Sequence, residues 1–182
     1  FLFNIFIILC FFVTIYEWQK LSKNKVYNYL GYIFLIISFF SAYSIRHIDE
    51  NSLSNFVFVL IICISTDLGG YFFGKIFKGP KLTKISPKKT ISGSFGSIFL
   101  TCLIFSGLVF YLINIFNIKI MAISIVTSIA CQSGDLFFSF LKRCAKIKDT
   151  GNMLPGHGGI LDRIDGILLG IPIGLTAFII LY

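Results

Sequence analysis

Six apolar runs constrain this chain more than any other feature. They cover residues 1–16, 29–45, 56–73, 92–116, 120–141 and 166–181, and each is richer in Ile, Leu and Phe than in anything else. A hydrocarbon core of about 30 Å takes about 20 apolar residues of helix. None of the runs alternates polar with apolar residues, as a membrane β-strand would. The expected fold is all-α: a polytopic transmembrane helical bundle of about six spans, a single integral membrane domain over residues 1–182. Composition agrees. Hydrophobic residues make up 56% of the chain, charged residues 13%, and mean hydropathy is +0.88, whereas a soluble domain is about 25% charged. A soluble domain this small has too little interior for so much apolar surface. This excludes an ordinary soluble domain, a disordered chain and a nucleic-acid-binding module. The first run starts at residue 1 with neither the basic flank nor the cleavage site of a signal peptide. Together with the missing starting Met, this reads as truncation at the N-terminus.

The charges are sorted as strongly as the apolar residues. Net charge is +8, and every one of the 16 Lys and Arg lies between runs. The loops at 17–28, 75–91 and 142–165 hold 14 of them, and the loops at 46–55 and 117–119 hold 2. Basic loops stay in the cytoplasm, so the first, third and fifth loops are expected there and both chain ends on the far side. The five cysteines, at 10, 63, 102, 131 and 144, contain no Cys-x-x-Cys pair, and four of them lie in apolar runs. They read as small hydrophobes rather than as a disulfide framework or a zinc site.

A few polar residues stand where lipid would reject them. Asp67, in Ser65-Thr66-Asp67-Leu68-Gly69-Gly70, and Asp135, in Gln132-Ser133-Gly134-Asp135, lie inside the third and fifth runs. A carboxylate at that depth must face a partner or a cavity. It marks either a buried helix–helix hydrogen bond or an ion or substrate site. The third loop mixes hydroxyls (Ser86, Thr90, Ser92) with Lys88 and Lys89 just before a helix start. It can be a topology signal, a headgroup patch or a polyphosphate cradle. In the fifth loop Ser139, Lys142, Arg143 and Lys146 recur at i, i+3, i+4 and i+7, one face of a helix leaving the membrane. Lys148-Asp149-Thr150-Gly151 and Leu154-Pro155-Gly156-His157-Gly158-Gly159 follow, and then Asp162-Arg163-Ile164-Asp165 opens the last helix, with its two carboxylates on one face. Hard carboxylate oxygens beside phosphate-binding bases suit Mg²⁺ chemistry. His157 reads as a turn residue, a general acid or, as preferred here, a phosphate or headgroup contact. It has no Cys or His partner at zinc spacing.

The run Ser139-Phe140-Leu141-Lys142-Arg143, then Lys148-Asp149-Thr150-Gly151, then Leu154 to Asp165, resembles the signature of the phosphatidate cytidylyltransferases, with its spacing fully kept. Ser65 to Lys75, followed by Gly79-Pro80-Lys81-Leu82, and Ser86-Pro87-Lys88-Lys89-Thr90 are similar to the same family. The resemblance covers residues from about 60 to the C-terminus. It departs at Ser92 and Phe138, where many members carry acidic residues.

The resemblance implies transfer of CMP from CTP to phosphatidic acid, giving CDP-diacylglycerol and pyrophosphate, with Mg²⁺. It implies Asp135 and Asp162 as metal ligands. Asp67, Asp149 and Asp165 would serve a second cation such as K⁺ or hold lysine and arginine in place. Lys88, Lys89, Lys142, Arg143, Lys148 and Arg163 would face the phosphates of CTP and lipid, with Ser86 and Thr90 hydrogen-bonding them. The loop of Gly156, His157, Gly158 and Gly159 would add backbone amides. The phosphate nucleophile is already ionised, so no general base is needed. The expected setting is a bacterial inner membrane, with the site at its cytoplasmic surface and the chain a homodimer among membrane lipids. Rival readings are a CTP-dependent polyprenol or phytol kinase, a CDP-alcohol phosphotransferase, and a small transporter with Asp67 and Asp135 as ion sites. The Asp-Gly-x-x-Ala-Arg run of the phosphotransferases is absent from the sequence.

Overall fold

The computed structural model describes residues 2–22, 27–47, 52–114, 117–151 and 158–181, so Gly156 and His157 lie outside the described residues. Six helices follow one another: α1 Leu2–Ser22, α2 Asn28–His47, α3 Ser52–Phe77, α4 Ile91–Ile113, α5 Ile118–Cys144 and α6 Leu161–Leu181. All six are long and apolar enough to cross a membrane, as the runs predict. Most reach beyond their apolar runs. The sequence places Glu17 in the first loop, but α1 continues to Ser22. The sequence ends the fifth run at 141, but α5 continues to Cys144. Polar residues continue a helix as readily as apolar ones when its free end reaches water or a polar cavity.

α3 lies along α4 and α5 along α6, and α4 also packs on α5 and α2 on α6. Small residues permit the two closest pairings. A methyl group at Gly96 of α4 would collide with the Phe73 ring of α3, and one at Gly134 of α5 would stand 2.9 Å from the Asp165 carbonyl of α6. Gly93, Gly170 and Gly174 also pack against neighbours within this chain. Trp18, Leu21, Leu35, Phe138, Leu141, Leu161 and Leu168 form one buried cluster that joins α1, α2, α5 and α6. Rings such as Phe6, Phe12, Phe40, Phe95 and Phe99 remain exposed, as a lipid-facing surface requires. All five cysteines are free.

Some buried hydroxyls reach partners on other helices, whereas Tyr27 Oη, Ser106 Oγ and Thr127 Oγ1 are buried without one among the described residues. The Thr66 hydroxyl of α3 donates to its own Ile62 carbonyl or to Ser128 Oγ of α5 at 2.9 Å, and lies 3.1 Å from Thr101 Oγ1 of α4. Pro172 stands inside α6. It lacks the N–H that would bond the carbonyl four residues earlier. That carbonyl belongs to Leu168, and the buried Ser38 hydroxyl of α2 approaches it at 2.7 Å.

Ser38→Ala should therefore destabilise the bundle by about 1 kcal/mol, read as a lower thermal midpoint in detergent. Pro172→Ala restores an N–H to the helix, so Ser38→Ala should cost less in that background.

Candidate active site

The loop between α3 and α4 is compact because its sequence dictates a turn. Pro87 occupies the second position of Ser86-Pro87-Lys88-Lys89, where a fixed φ favours a tight turn, and Lys89 N–H donates to the Ser86 carbonyl at 3.1 Å. Lys81 and Thr90 pair in an antiparallel bridge, and Leu82 N–H donates to the Lys89 carbonyl at 2.8 Å. Thr90 then caps α4, its hydroxyl accepting from Gly93 N–H. This geometry turns Lys88 and Lys89 toward the bundle, where both line a cavity of 460 Å³.

The cavity lies between the C-terminal halves of α3 and α5 and the N-terminal ends of α4 and α6. Asp67, Asp135, Asp149, Asp162 and Asp165 line it, with Lys88, Lys89, Lys142 and Arg163. Lys89 of the loop is ion-paired with Asp135 of α5, and Ser139 Oγ lies 3.5 Å from the other oxygen of Asp135. Lys142 Nζ of α5 sits 2.9 Å from Asp162 Oδ1 and 3.4 Å from Asp165 Oδ2, joining α5 to α6. Asp162 Oδ2 accepts the Thr150 and Gly159 amides at 2.8 and 2.9 Å. One oxygen of Asp162 is thus held by backbone, and the other faces Lys142.

The sequence groups Ser139, Lys142, Arg143 and Lys146 on one helical face, and the structure divides them. Lys142 enters the cavity. Arg143 lines a separate depression with Lys84, Ile85, Pro87, Phe140 and Cys144, and donates to the Ile147 carbonyl at 3.4 Å. α5 ends at Cys144, and Lys146 takes a left-handed φ of 58° in the turn that follows. Consecutive helical residues point about 100° apart, so Lys142 and Arg143 cannot share a direction. Lys148 and Ser86 also lie outside the cavity lining. Ser86 is occupied in its turn, its N–H donating to Thr83 Oγ1. Gly158 needs its φ of 81°, and a methyl group there would stand 2.8 Å from Asp162 Oδ2.

Several polar residues of the site escape sequence reasoning. Ser94 of α4 and Gln132 of α5 are hydrogen-bonded to each other at the cavity wall. Glu17 of α1 is only 1% exposed. Its carboxylate accepts Ile160 N–H at 3.0 Å, Leu161 N–H at 2.7 Å and Thr150 Oγ1 at 3.1 Å. Its position beside an apolar run gives no sign of partners more than 130 residues away.

The donor set fits Mg²⁺. That ion takes one or two carboxylates and completes its octahedron with water and substrate phosphates. Among the described residues no three acidic, histidine or cysteine side chains converge into a ready-made cage. Asp135 and Asp162 each offer a carboxylate to the cavity, held meanwhile by a lysine.

A sequence profile described as the cytidylyltransferase family matches residues 1–181. The chain belongs to the cytidylyltransferase family. It is 36% identical over 187 residues to the phosphatidate cytidylyltransferase of Rickettsia bellii (strain RML369-C), covering 94% of this chain and 78% of that one. To the enzyme of the same name from Bacillus subtilis (strain 168) it is 38% identical over 147 residues, 79% of this chain and 54% of the relative. The Staphylococcus aureus (strain COL) counterpart is 33% identical over 166 residues, 86% and 62% of the two chains. The family match extends well upstream of residue 60 and takes in Glu17. At the two departures from the family pattern, this cytidylyltransferase uses its residues structurally. Phe138 is buried against Trp18 and Phe34, and Ser92 Oγ accepts Gly79 N–H.

Lys142→Met leaves Asp162 and Asp165 without their shared cation. Removing one partner of a buried ion pair costs about 3 kcal/mol. The thermal midpoint should fall accordingly, and adding Asp165→Asn should recover part of the loss.

Proposed function

We propose that this chain transfers CMP from CTP to phosphatidic acid, giving CDP-diacylglycerol and pyrophosphate. One observation carries the reading: a single cavity within an apolar bundle gathers five carboxylates and four cations. The names of its relatives, at 33–38% identity, support the same substrates. An oxygen of the lipid phosphate attacks the α-phosphorus of CTP. The bond from that phosphorus to the β-phosphate oxygen breaks, and pyrophosphate leaves with its electron pair. Nucleophile and electrophile are both anions, so catalysis is chiefly charge neutralisation and in-line positioning.

Lys88, Lys89, Lys142 and Arg163 supply the positive charge from the protein. Asp135 and Asp162 hold Mg²⁺, which when bound adds positive charge at the phosphates of CTP. Asp67 and Asp149 are left for a second cation such as K⁺, or to orient lysines. The Gly159 amide, engaged by Asp162, acts on the carboxylate rather than on a phosphate. The cavity faces the cytoplasm of a bacterium from its inner membrane. Support comes from the basic loops, which hold 14 of the 16 Lys and Arg, and from the bacterial relatives. The resemblance implies a homodimer.

Purified protein in mixed micelles with α-labelled CTP, phosphatidic acid and Mg²⁺ should move label into the lipid phase. Asp162→Asn keeps an acceptor for the Thr150 and Gly159 amides and removes the charge, and should lower the rate at least ~100-fold. Lipid labelled from γ-labelled CTP would instead establish a kinase.

A further inference from the structure

α6 begins without a cap of its own. The residue before it is Ile160, whose carbonyl accepts Arg163 and Ile164 N–H but whose side chain holds no oxygen. The first amides of a helix need acceptors, and a Ser, Thr, Asp or Asn usually supplies one. Here the acceptor comes from another helix, 144 residues away in sequence. Glu17 of α1 takes Ile160 N–H on Oε1 and Leu161 N–H on Oε2. An anion at a helix N-terminus also meets the favourable end of the dipole.

The same carboxylate reaches further. Oε2 also accepts the Thr150 hydroxyl, and Thr150 is the residue whose backbone N–H donates to Asp162 Oδ2. The second donor to Asp162 Oδ2, Gly159 N–H, immediately precedes the two amides that Glu17 holds. Methyl groups at Gly151 or Gly159 would fall against the Glu17 carboxylate, so both segments close tightly around it. Glu17 itself rides on a fixed helix end, because Trp18 and Leu21 are buried in the core. Among the described residues, both amides that donate to Asp162 Oδ2 are therefore fastened, one step back, to Glu17.

We propose that Glu17 is a positioning residue for the reaction: it fixes the two amides that set the Asp162 carboxylate, and so sets how tightly Asp162 holds its cation. The inference rests on the metal reading of Asp162 given above. Glu17 touches neither substrate nor metal in this scheme. Its charge serves the loop, and the loop aims the ligand. Partners that orient a metal ligand typically change metal affinity 10–100-fold when lost.

The test compares the wild type with Glu17→Gln, which keeps the size but has one acceptor oxygen for three donors. Without metal, amide exchange of residues 158–163 should be faster in the variant. With Mg²⁺ titrated against the thermal midpoint, half-saturation should rise about tenfold. In turnover, the Mg²⁺ requirement should rise by the same factor, with KM for phosphatidic acid unchanged. Thr150→Val removes only the hydroxyl and should shift Mg²⁺ in the same direction. Thr150→Ser should restore it, and this pair decides the matter if Glu17→Gln does not fold. Unchanged amide exchange would overturn the proposal. So would a lower thermal midpoint with an unmoved Mg²⁺ midpoint, because Glu17 would then be a brace alone. A wild type that does not respond to Mg²⁺ would instead defeat the metal reading of Asp162, and amide exchange would then decide the clamp by itself.

Discussion

Charge buried between helices has to be neutralised where it stands, and Lys142 meets that demand where α5 and α6 meet. Its ammonium lies between Asp162 and Asp165, so the two helices are joined by the same contact that makes the two α6 carboxylates tolerable. The pairing works because Gly134 lets α5 approach the α6 backbone closely. The helices, their ionic partners and the cavity wall form one arrangement, and no part of it could be moved independently.

Around that contact the bundle divides its work. Between the helices, including at the cavity wall where Thr66 stands, hydroxyls serve backbone groups and one another. Thr66, Thr101 and Ser128 meet between α3, α4 and α5, and Ser38 supplies the partner that Pro172 denies to Leu168. At the cavity, polar side chains are held in place by backbone. The Ser86–Lys89 turn aims two lysines, and the Thr150 and Gly159 amides aim Asp162. Loops set by hydrogen bonds deliver Lys88, Lys89 and Asp149, and the helices deliver the other six charges together with the walls.

The sequence makes the spans legible because lipid demands long apolar runs and rejects charge, which leaves Asp67 and Asp135 conspicuous. The shared face of Asp162 and Asp165 is equally legible, since local helical spacing decides it, and both residues do meet Lys142. Helix ends are harder, because the water boundary can fall anywhere along a polar stretch. That is why Glu17 reads as loop and Lys146 as helix. Contacts across the fold are harder still. Glu17 shows only as a charge beside an apolar run, and its function depends on amides that arrive with α6. Arg143 shows the opposite error. Its adjacency to Lys142 suggests a shared role, but the rotation of the helix directs it into another depression.

The ion pairs that fill the cavity have a consequence for how ligands enter it. Five carboxylates line the cavity with four cations, so its side chains are formally one charge from neutral and serve as one another's counter-ions. A cation that took Asp135 or Asp162 would displace Lys89 or Lys142, and a polyphosphate arriving with it would meet the ammonium groups set free. Entry would then be an ion exchange, in which the incoming cation and polyphosphate replace contacts that the lysines and carboxylates now make with one another.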